Sequence, residues 1–539
     1  MSHYPKILDF VGTGGSAGLT FSGQNYVIVE SVNTGVPATD GVTNGTALLN
    51  GLAQLDLLDW GTRSLDNMGS LLLMPGIYNL VDQTITMIDF INIVGISTNR
   101  RDTIITADSM TSSQNHIYWG NGITAGLQNV ELIADVANDA IMLRGRELSF
   151  PIIENVYFGS ENMCFNLFGS YGFSDLVGIW NNCEWATGIN YAFVAENILA
   201  TITNIIMGNT NIAFYCVTGN ISGTVSNITM GDVNNSFYTG GDISGTINNI
   251  KVGNASSSLF SIGGEMSGII TDVIMNDVYF AFTVNGNISG MISNIIIGNV
   301  SEDTFNTGNI SGNITDIIMG NIANNAFYIV GTMSGTIANI TMGDVTSSVY
   351  DVLGDMSGKI TNILIGDVSN AFHTSGSITG ILTDIKMGNV SGKSFHAQDN
   401  ISGTITNVVM GNVSYEGFYA QYGDISGKIT DIKIGTIYGT SSFTANGSIS
   451  GIITNVTMGD ITNNGFYAYT DISGSISNIL MGNVPTGRSF QANNDISGTI
   501  TNIIMGDVLG EYAFYAGSNI SGSIRDIIIG SVSNTFFSV

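Results

Sequence analysis

The chain has 539 residues, of which 44% are hydrophobic, only 10% are charged and 69 are glycine. So much apolar sequence excludes a disordered tail. The 42 acidic residues outnumber the 14 lysines and arginines, giving a formal charge of −28 that disfavours binding to nucleic acid or anionic lipid. Every apolar run is interrupted before the roughly 18 residues of a membrane-spanning helix, so membrane insertion is not expected.

Residues 1–45 are predicted to form an N-terminal arm or attachment segment. Their sequence lacks the apolar core of a Sec signal peptide. Thr46 is predicted to cap a short helix, because Leu48, Leu52, Leu55 and Leu58 follow it at helical spacing. Without a signal peptide, export by lysis, by a dedicated exporter or on a virus particle is favoured, and we expect an extracellular or virion-surface location.

Residues 46–195 are predicted to combine this helix with irregular β-helix coils. A strand and turn at Leu71–Tyr78, which contains the pattern L-x-x-P-G-x-Y, precedes an I-x-I-x-G strand at Ile91–Gly95 and a T-x-I strand starting at Thr103. This order resembles the start of pectin-lyase-like right-handed parallel β-helix proteins, which include polysaccharide lyases, hydrolases and phage tailspikes. The resemblance implies a right-handed helix. It also suggests an alternative function, that of a tailspike-like enzyme that binds or cleaves polysaccharide.

Residues 196–539 consist of a repeat that reads I-S-G-x-I-x-N-I-x-M-G-N-V, a variable stretch, and then F-Y. The glycine of I-S-G recurs from Gly223 to Gly522, 299 residues over 13 intervals, which gives a mean period of 23.0. Ile, Val, Thr and Phe between Gly and Asn predict short strands joined by tight turns. The sequence therefore predicts an all-β fold, a parallel β-helix or β-solenoid, with 15 regular coils here.

An Asn or Asp occupies one turn position in every regular coil. Stacked Asn side chains can bond to one another, and Asn tolerates left-handed torsions. We predict a structural ladder at Asn204, Asn227, Asn249, Asp272, Asn294, Asp316, Asn339, Asn362, Asp384, Asn407, Asp431, Asn455, Asn478, Asn502 and Asp526.

Two apolar columns are predicted to fill the core. Three residues after the ladder comes Met, Ile or Val, beginning at Met207. An aromatic stack is predicted with one exception, Val349, at Phe214, Phe237, Phe260, Phe282, Phe305, Phe327, Phe372, Phe395, Phe418, Phe443, Phe466, Phe490, Phe514 and Phe536.

No cofactor and no metal site is predicted. Aspartates nevertheless recur after Met-Gly, as at Asp232 and Asp344, and before Ile-Ser-Gly, as at Asp242 and Asp355. Stacked carboxylates repel one another, so weak Ca²⁺ binding at these columns is left open as an alternative.

Catalytic chemistry finds little support in the sequence. The paired Asp, His-Gly and Arg-x-Lys motifs of polygalacturonan hydrolases in the resembled superfamily are absent, and the four histidines are scattered along the chain. We therefore predict no enzyme. If the alternative of a polysaccharide lyase or hydrolase holds, Arg146 and Glu154 are the candidate catalytic residues.

The sequence stops part-way through a coil, at Phe536, Phe537 and Val539, which predicts an open apolar assembly edge. We therefore expect a homo-oligomer, either a filament or a trimer. The expected function is that of a structural subunit of a fibre, spike or surface layer, on a virion, a phage or a cell. Such a subunit associates with itself and can also adhere to surface glycans.

Overall fold

The structure is a computed structural model that describes residues 20–22, 25–108, 115–134, 141–145, 149–159, 163–169, 172–173 and 175–539. About 19 parallel β-solenoid coils of about 23 residues follow one short N-terminal helix in this part of the chain. The predicted all-β fold class is therefore confirmed. The chain divides into two compact units, Met1–Asn190 and Tyr191–Val539.

The N-terminal helix spans Pro37–Leu57 and begins nine residues before Thr46, so the predicted start was wrong. Pro37 favours the first helical turn, and Asp40 in that turn accepts hydrogen bonds from the Thr34 backbone N–H at 2.7 Å and hydroxyl at 2.6 Å. Thr46 lies inside the helix and donates to the Val42 carbonyl. In the described part of the chain, no helix has the length and apolarity needed to cross a membrane.

Glycines obscured this helix in the sequence because they weaken helix propensity. The structure gives a reason for one of them: a Cβ at Gly45 would lie 2.0 Å from the Asn79 carbonyl oxygen. The helix can therefore pack against the strand Gly76–Asn79 only because this position lacks a side chain. A tertiary contact therefore explains why a glycine lies inside this helix.

The strands of the first unit pair mostly in parallel, and their inward residues alternate with outward ones, as in Gly69–Leu73 and Ile91–Gly95. Their bounds are Thr20–Ser22, Tyr26–Val29, Gly69–Leu73, Gly76–Asn79, Ile85–Thr86, Ile91–Gly95, Thr103–Ala107, Asn115–Trp119, Thr124–Gln128, Glu131–Ala134, Ile141–Gly145, Phe150–Glu154, Tyr157–Phe158, Met163–Gly169, Gly172–Phe173, Ile179–Asn181 and Glu184–Trp185.

In the second unit, all of which is described, each coil carries a strand of six or seven residues that contains the Asn/Asp position; we call these the ladder strands. They pair in parallel and in register from coil to coil. Their second, fifth and seventh residues point inward. They span Thr201–Met207, Thr224–Met230, Thr246–Val252, Ile269–Met275, Met291–Ile297, Asn313–Met319, Thr336–Met342, Lys359–Ile365, Ile381–Lys386, Thr404–Met410, Lys428–Ile434, Ile452–Met458, Ser475–Met481, Thr499–Met505 and Ser523–Ile529.

A second series, the stack strands, carries the aromatic column. Coils of unequal length keep register here through bulges, as between Val233 and Phe237. The stack strands span Ile189–Ala195, Thr210–Cys216, Val233–Thr239, Ala255–Ile262, Val278–Val284, Phe305–Thr307, Phe327–Ile329, Val345–Val352, Val368–Thr374, Phe395–Ala397, Phe418–Ala420, Ser441–Ala445, Asn464–Ala468, Phe490–Ala492, Phe514–Ala516 and Phe537–Ser538.

The I-S-G glycine is required by close approach between coils. A Cβ at Gly380 would lie 2.1 Å from the carbonyl oxygen of Gly358, and the other regular coils have the same geometry. The preceding isoleucines are buried and bridge to one another in parallel, as Ile378 does to Ile401. This glycine therefore allows the backbones of adjacent coils to touch at this corner.

Candidate functional site

The Asn/Asp ladder lies along one corner of the second unit. All fifteen predicted positions have left-handed backbones, with φ between 51° and 59°. Side-chain amides donate to the preceding coil, as from Asn227 to Asn204 at 3.1 Å and from Asn362 to Asn339 at 2.8 Å. The bonds run along the solenoid axis, so each one joins two coils.

No two aspartates are adjacent in this ladder. The residue that follows Asp316 in the next coil is Asn339, whose amide donates to the Asp316 carboxylate at 2.8 Å. The same arrangement joins Asn294 to Asp272, Asn407 to Asp384 and Asn455 to Asp431. Two neighbouring carboxylates would have no donor between them and would repel, which accounts for the spacing of the aspartates.

The first unit contains a shorter ladder that the sequence analysis missed. Asn129, Asn155 and Asn182 also have φ near +55°, and their side chains are bonded in series. They are 26 and 27 residues apart, so they fall outside the 23-residue period. A search for Asn between apolar residues, without a fixed period, would have found them.

The other recurring aspartates are acceptors for backbone N–H groups. Oδ1 of Asp232 accepts from the Asn254 N–H at 2.8 Å, and Oδ1 of Asp367 accepts from the Asn389 N–H at 2.7 Å. Before Ile-Ser-Gly, Oδ1 of Asp424 accepts from the Ser448 N–H at 2.7 Å. Each of these carboxylates thus has a structural partner in the next coil. Among the described residues, no three His, Cys, Asp or Glu side chains are grouped to hold a metal ion.

The aromatic column forms a continuous stack of fifteen buried rings from Phe193 to Phe514. Neighbouring centroids are 4.7–5.1 Å apart and the ring planes differ by 1–13°. The predicted exception at Val349 was wrong, because Tyr350 pairs in register with Phe327 and Phe372 and fills the column. Val349 lies one position earlier, where most other coils carry Ala, Ser, Thr or Gly. The predicted core residues Phe214, Phe237, Phe327, Phe418, Phe466 and Phe514 all lie in the stack.

The predicted assembly edge lies in the last coil. Phe537, rather than Phe536, pairs in register with Phe514, so the assignment of Phe536 to the column was also wrong. The Phe537 side chain is half exposed, and Val539 is more exposed.

Two histidines that look scattered in the sequence are brought together. His373 and His396 occupy the same position in adjacent coils, and their ring centroids are 4.8 Å apart. Nδ1 of His373 lies 2.7 Å from Oδ1 of Asp351, and His396 stacks on Tyr419. Burial, with the nearby charge of Lys393, lowers the pKa of His396 to about 4. Their 23-residue separation equals one repeat, a signal that could have revealed the pair.

Of the two candidate catalytic residues, the structure describes only Glu154. Arg146 lies outside the described residues. Glu154 is exposed at the end of the strand Phe150–Glu154. Arg100 and Arg101 instead form ion pairs with Glu184, 84 and 83 residues away. Arg100 also bonds to Asn155 of the shorter ladder, so this charged cluster ties coils of the first unit together.

A shallow groove of about 430 Å³ lies on the surface of the second unit. It is lined by turn residues of successive coils, including Asp367, Asn389, Ser391, Ser414 and Tyr438. The Tyr438 side chain is 58% exposed. The groove thus combines hydroxyl, amide and carboxylate groups with an accessible aromatic ring.

Comparison with known proteins returns no match: no protein-family model, no curated protein and no solved structure is significantly similar to this chain.

Proposed function

We propose that this chain is a structural subunit of a fibre, spike or surface layer that associates with further copies of itself. The observation that supports this most is the unbroken stack of aromatic rings from Phe193 to Phe514. A continuous core of this kind stiffens a rod along its axis, because each ring contacts the ring above and the ring below. At about 4.8 Å per coil, the fifteen coils of the second unit extend on the order of 70 Å.

Hydrogen bonding supports the same role. Backbone pairing and the Asn/Asp side chains all connect one coil to the next. Many hydrogen bonds would therefore have to break together for the solenoid to stretch along its axis. The acidic residues in the turns give the rod a high net charge, which favours its solubility. A virion, phage or cell surface is the location we propose for it.

Electron microscopy of the purified chain over a range of concentrations tests this function. We expect filaments, or symmetric particles built from rods, whose abundance rises with concentration. Single rods that stay separate at every concentration would contradict the structural proposal.

We further propose membership of the pectin-lyase-like right-handed β-helix superfamily. The support is the N-terminal helix followed by parallel coils that have an Asn ladder at one corner. An experimental structure would test it directly, since a left-handed solenoid contradicts the assignment.

A second candidate function is the binding of a neutral polysaccharide, and the groove beside Tyr438 favours it. Sugar rings stack on exposed aromatic side chains, and their hydroxyls bond to Asn, Ser and Asp. The charge of −28 disfavours acidic polymers. Affinity electrophoresis in neutral polysaccharides provides the test, with reducing ends measured to detect cleavage.

If the groove binds polysaccharide, Tyr438→Ala should weaken retardation about tenfold. Tyr469→Ala is the matched control, because Tyr469 is 59% exposed and does not line the groove. Equal retardation of both variants and the native chain would eliminate this groove as the binding site.

A further inference from the structure

One outward column of the ladder strands is unusually apolar. It consists of the residues immediately before the inward Met, Ile or Val column, and we call it the stripe. Nine of its fifteen residues are apolar, and these are 37–63% exposed. From the first regular coil to the last, the stripe reads Ile206, Thr229, Lys251, Ile274, Ile296, Ile318, Thr341, Leu364, Lys386, Val409, Lys433, Thr457, Leu480, Ile504 and Ile528.

Strand register places these side chains in one straight row. Ile274 pairs with Ile296 and Ile296 with Ile318, and at the other end Leu480 pairs with Ile504 and Ile504 with Ile528. Two runs of three apolar residues therefore lie in consecutive coils. Contiguous apolar surface of this kind is typical of an interaction site.

The stripe itself carries no negative charge. None of the chain's 42 acidic residues lies in it, whereas three of its seven lysines, Lys251, Lys386 and Lys433, do. Two copies with a charge of −28 each repel one another over most of their surfaces. The stripe is a surface on which two such copies can approach without opposing carboxylates.

The stripe is also nearly palindromic about the midpoint between Lys386 and Val409. Over the twelve coils from Ile274 to Ile528, reversing its direction aligns apolar with apolar residues, Thr with Thr, and each of the two lysines, Lys386 and Lys433, with an apolar residue. The six facing pairs are Ile274 with Ile528, Ile296 with Ile504, Ile318 with Leu480, Thr341 with Thr457, Leu364 with Lys433, and Lys386 with Val409.

We propose that two copies of this chain associate side by side, antiparallel, through their stripes. A two-fold interface brings the same patch of both copies together, and so requires a self-complementary pattern. A parallel pair in the same register would instead place Lys386 against Lys386 and Lys433 against Lys433. This proposal rests on the structural function above and specifies the surface through which it operates.

The antiparallel arrangement also accommodates the lysines. Lys433 faces Leu364, and the turn three residues beyond Leu364 presents Asp367. The Lys433 ammonium group can therefore reach the Asp367 carboxylate of the second copy while its aliphatic stem covers Leu364. Twelve coils give an interface roughly 50 Å long and roughly 600 Å² per copy, near the lower end for stable protein pairs.

Sedimentation velocity of the full chain at several concentrations tests the pairing. We expect a monomer–dimer equilibrium that shifts toward the dimer at higher salt, because salt screens the repulsion between acidic copies. A native chain that remains monomeric at all concentrations and salt levels overturns the proposal.

Charged variants locate the interface. Ile296→Lys and Ile504→Lys each place an ammonium group against an apolar residue, and we expect the dimer dissociation constant to rise about tenfold or more. Ile452→Lys is the matched control, because Ile452 is also an exposed residue of a ladder strand but lies outside the stripe. Loss of the dimer in the control alone, or in none of the three, overturns the proposal. All three residues point outward, so we expect the variants to fold. Thermal melting of each variant beside the native chain checks this.

Cross-linking determines the direction of the pair. A short bis-maleimide should join Ile296→Cys to Ile504→Cys when the two variants are mixed, with the native chain as the background control. Self-linking of Ile296→Cys, or no link beyond background, contradicts the antiparallel pair.

If the lysine variants still form the assemblies seen by electron microscopy, the stripe is refuted as the interface while the structural function stands. If the native chain forms no assemblies, the function itself fails.

Discussion

At the scale of single residues, Tyr350 places in the aromatic column a buried hydroxyl that has no hydrogen-bond partner among the described residues. It fills a column otherwise made of phenylalanine, and its ring stacks on both neighbours at 4.8 and 4.9 Å. Burial raises the pKa of this hydroxyl, since the surroundings cannot solvate a charge.

Tyr350→Phe is therefore expected to stabilise the protein. Removing an unsatisfied buried hydroxyl while keeping the ring should raise the free energy of unfolding by about 1 kcal/mol. Urea denaturation measures the change. The control is Tyr328→Phe, because Tyr328 follows Phe327 of the column and points outward. Its free energy of unfolding should stay within about 0.5 kcal/mol of that of the native chain. A destabilised Tyr350→Phe variant would mean that the hydroxyl has a partner.

His396 should make stability depend on pH. Its folded pKa of about 4 lies below its ordinary value of 6.5, because burial and the charges of Lys393 and His373 outweigh the hydrogen bond to Gln421. A lowered pKa contributes stability that is fully present above pH 6.5 and is lost as the pH falls toward 4. Partial exposure limits the loss to about 1–2 kcal/mol.

His396→Tyr removes this titration and copies the neighbouring Tyr419 of the same column. Between pH 7 and pH 4, the native chain should lose about 1–2 kcal/mol more unfolding free energy than the variant does. Chemical denaturation at a series of pH values measures both curves. Parallel curves would show that His396 does not titrate as described.

At the scale of elements, the ladder strand depends on its one left-handed residue. Asn339 has φ of 58°, donates to Asp316 and accepts from Asn362. The inward pattern of the strand shifts at this position, so that residues on both sides of it reach the core. The backbone conformation and the side-chain bonds therefore act together at each corner.

Asn339→Ala should lower the free energy of unfolding by about 2 kcal/mol, through two lost hydrogen bonds and a strained left-handed alanine. Asn339→Gly should recover about half of the loss, because glycine adopts this backbone without strain. Thermal or urea denaturation distinguishes the two. Asn313→Ala, at an exposed position of the preceding ladder strand, is the neutral control. Equal losses for Ala and Gly would assign the whole effect to the hydrogen bonds.

The sequence predicted regular elements well where the repeat sets their period. It placed the Asn column and the inward Met column correctly along the chain, because both lie at a fixed distance from I-S-G. It misplaced Val349 and Phe536, because bulges and turns of unequal length precede the aromatic position. The helix start was missed for another reason: glycines weaken the helical pattern of Pro37–Leu57, and two of them, Gly41 and Gly45, are explained by contact with Asn79, which lies far away in sequence.

At the scale of the whole molecule, the distribution of charge is more informative than its total. A charge of −28 describes a protein that repels its own copies, yet the stripe is free of acidic residues. Aspartates at the other corners accept backbone N–H groups of the next coil, so the acidity of those columns also serves the fold. The association through the stripe that we propose would reconcile an acidic chain with self-assembly.

The sequence alone determined the solenoid, its 23-residue period, its Asn/Asp ladder and its aromatic core, because a repeat imposes the same local geometry on every coil. Only the tertiary structure decided which residues share a surface. The stacked His373 and His396, the ion pairs of Glu184 and the exposed stripe all depend on alignment between coils. The mean period predicts that alignment only on average, because insertions and bulges change the register of individual coils. Contacts between side chains depend on register to the single residue, so the structure was needed to identify them.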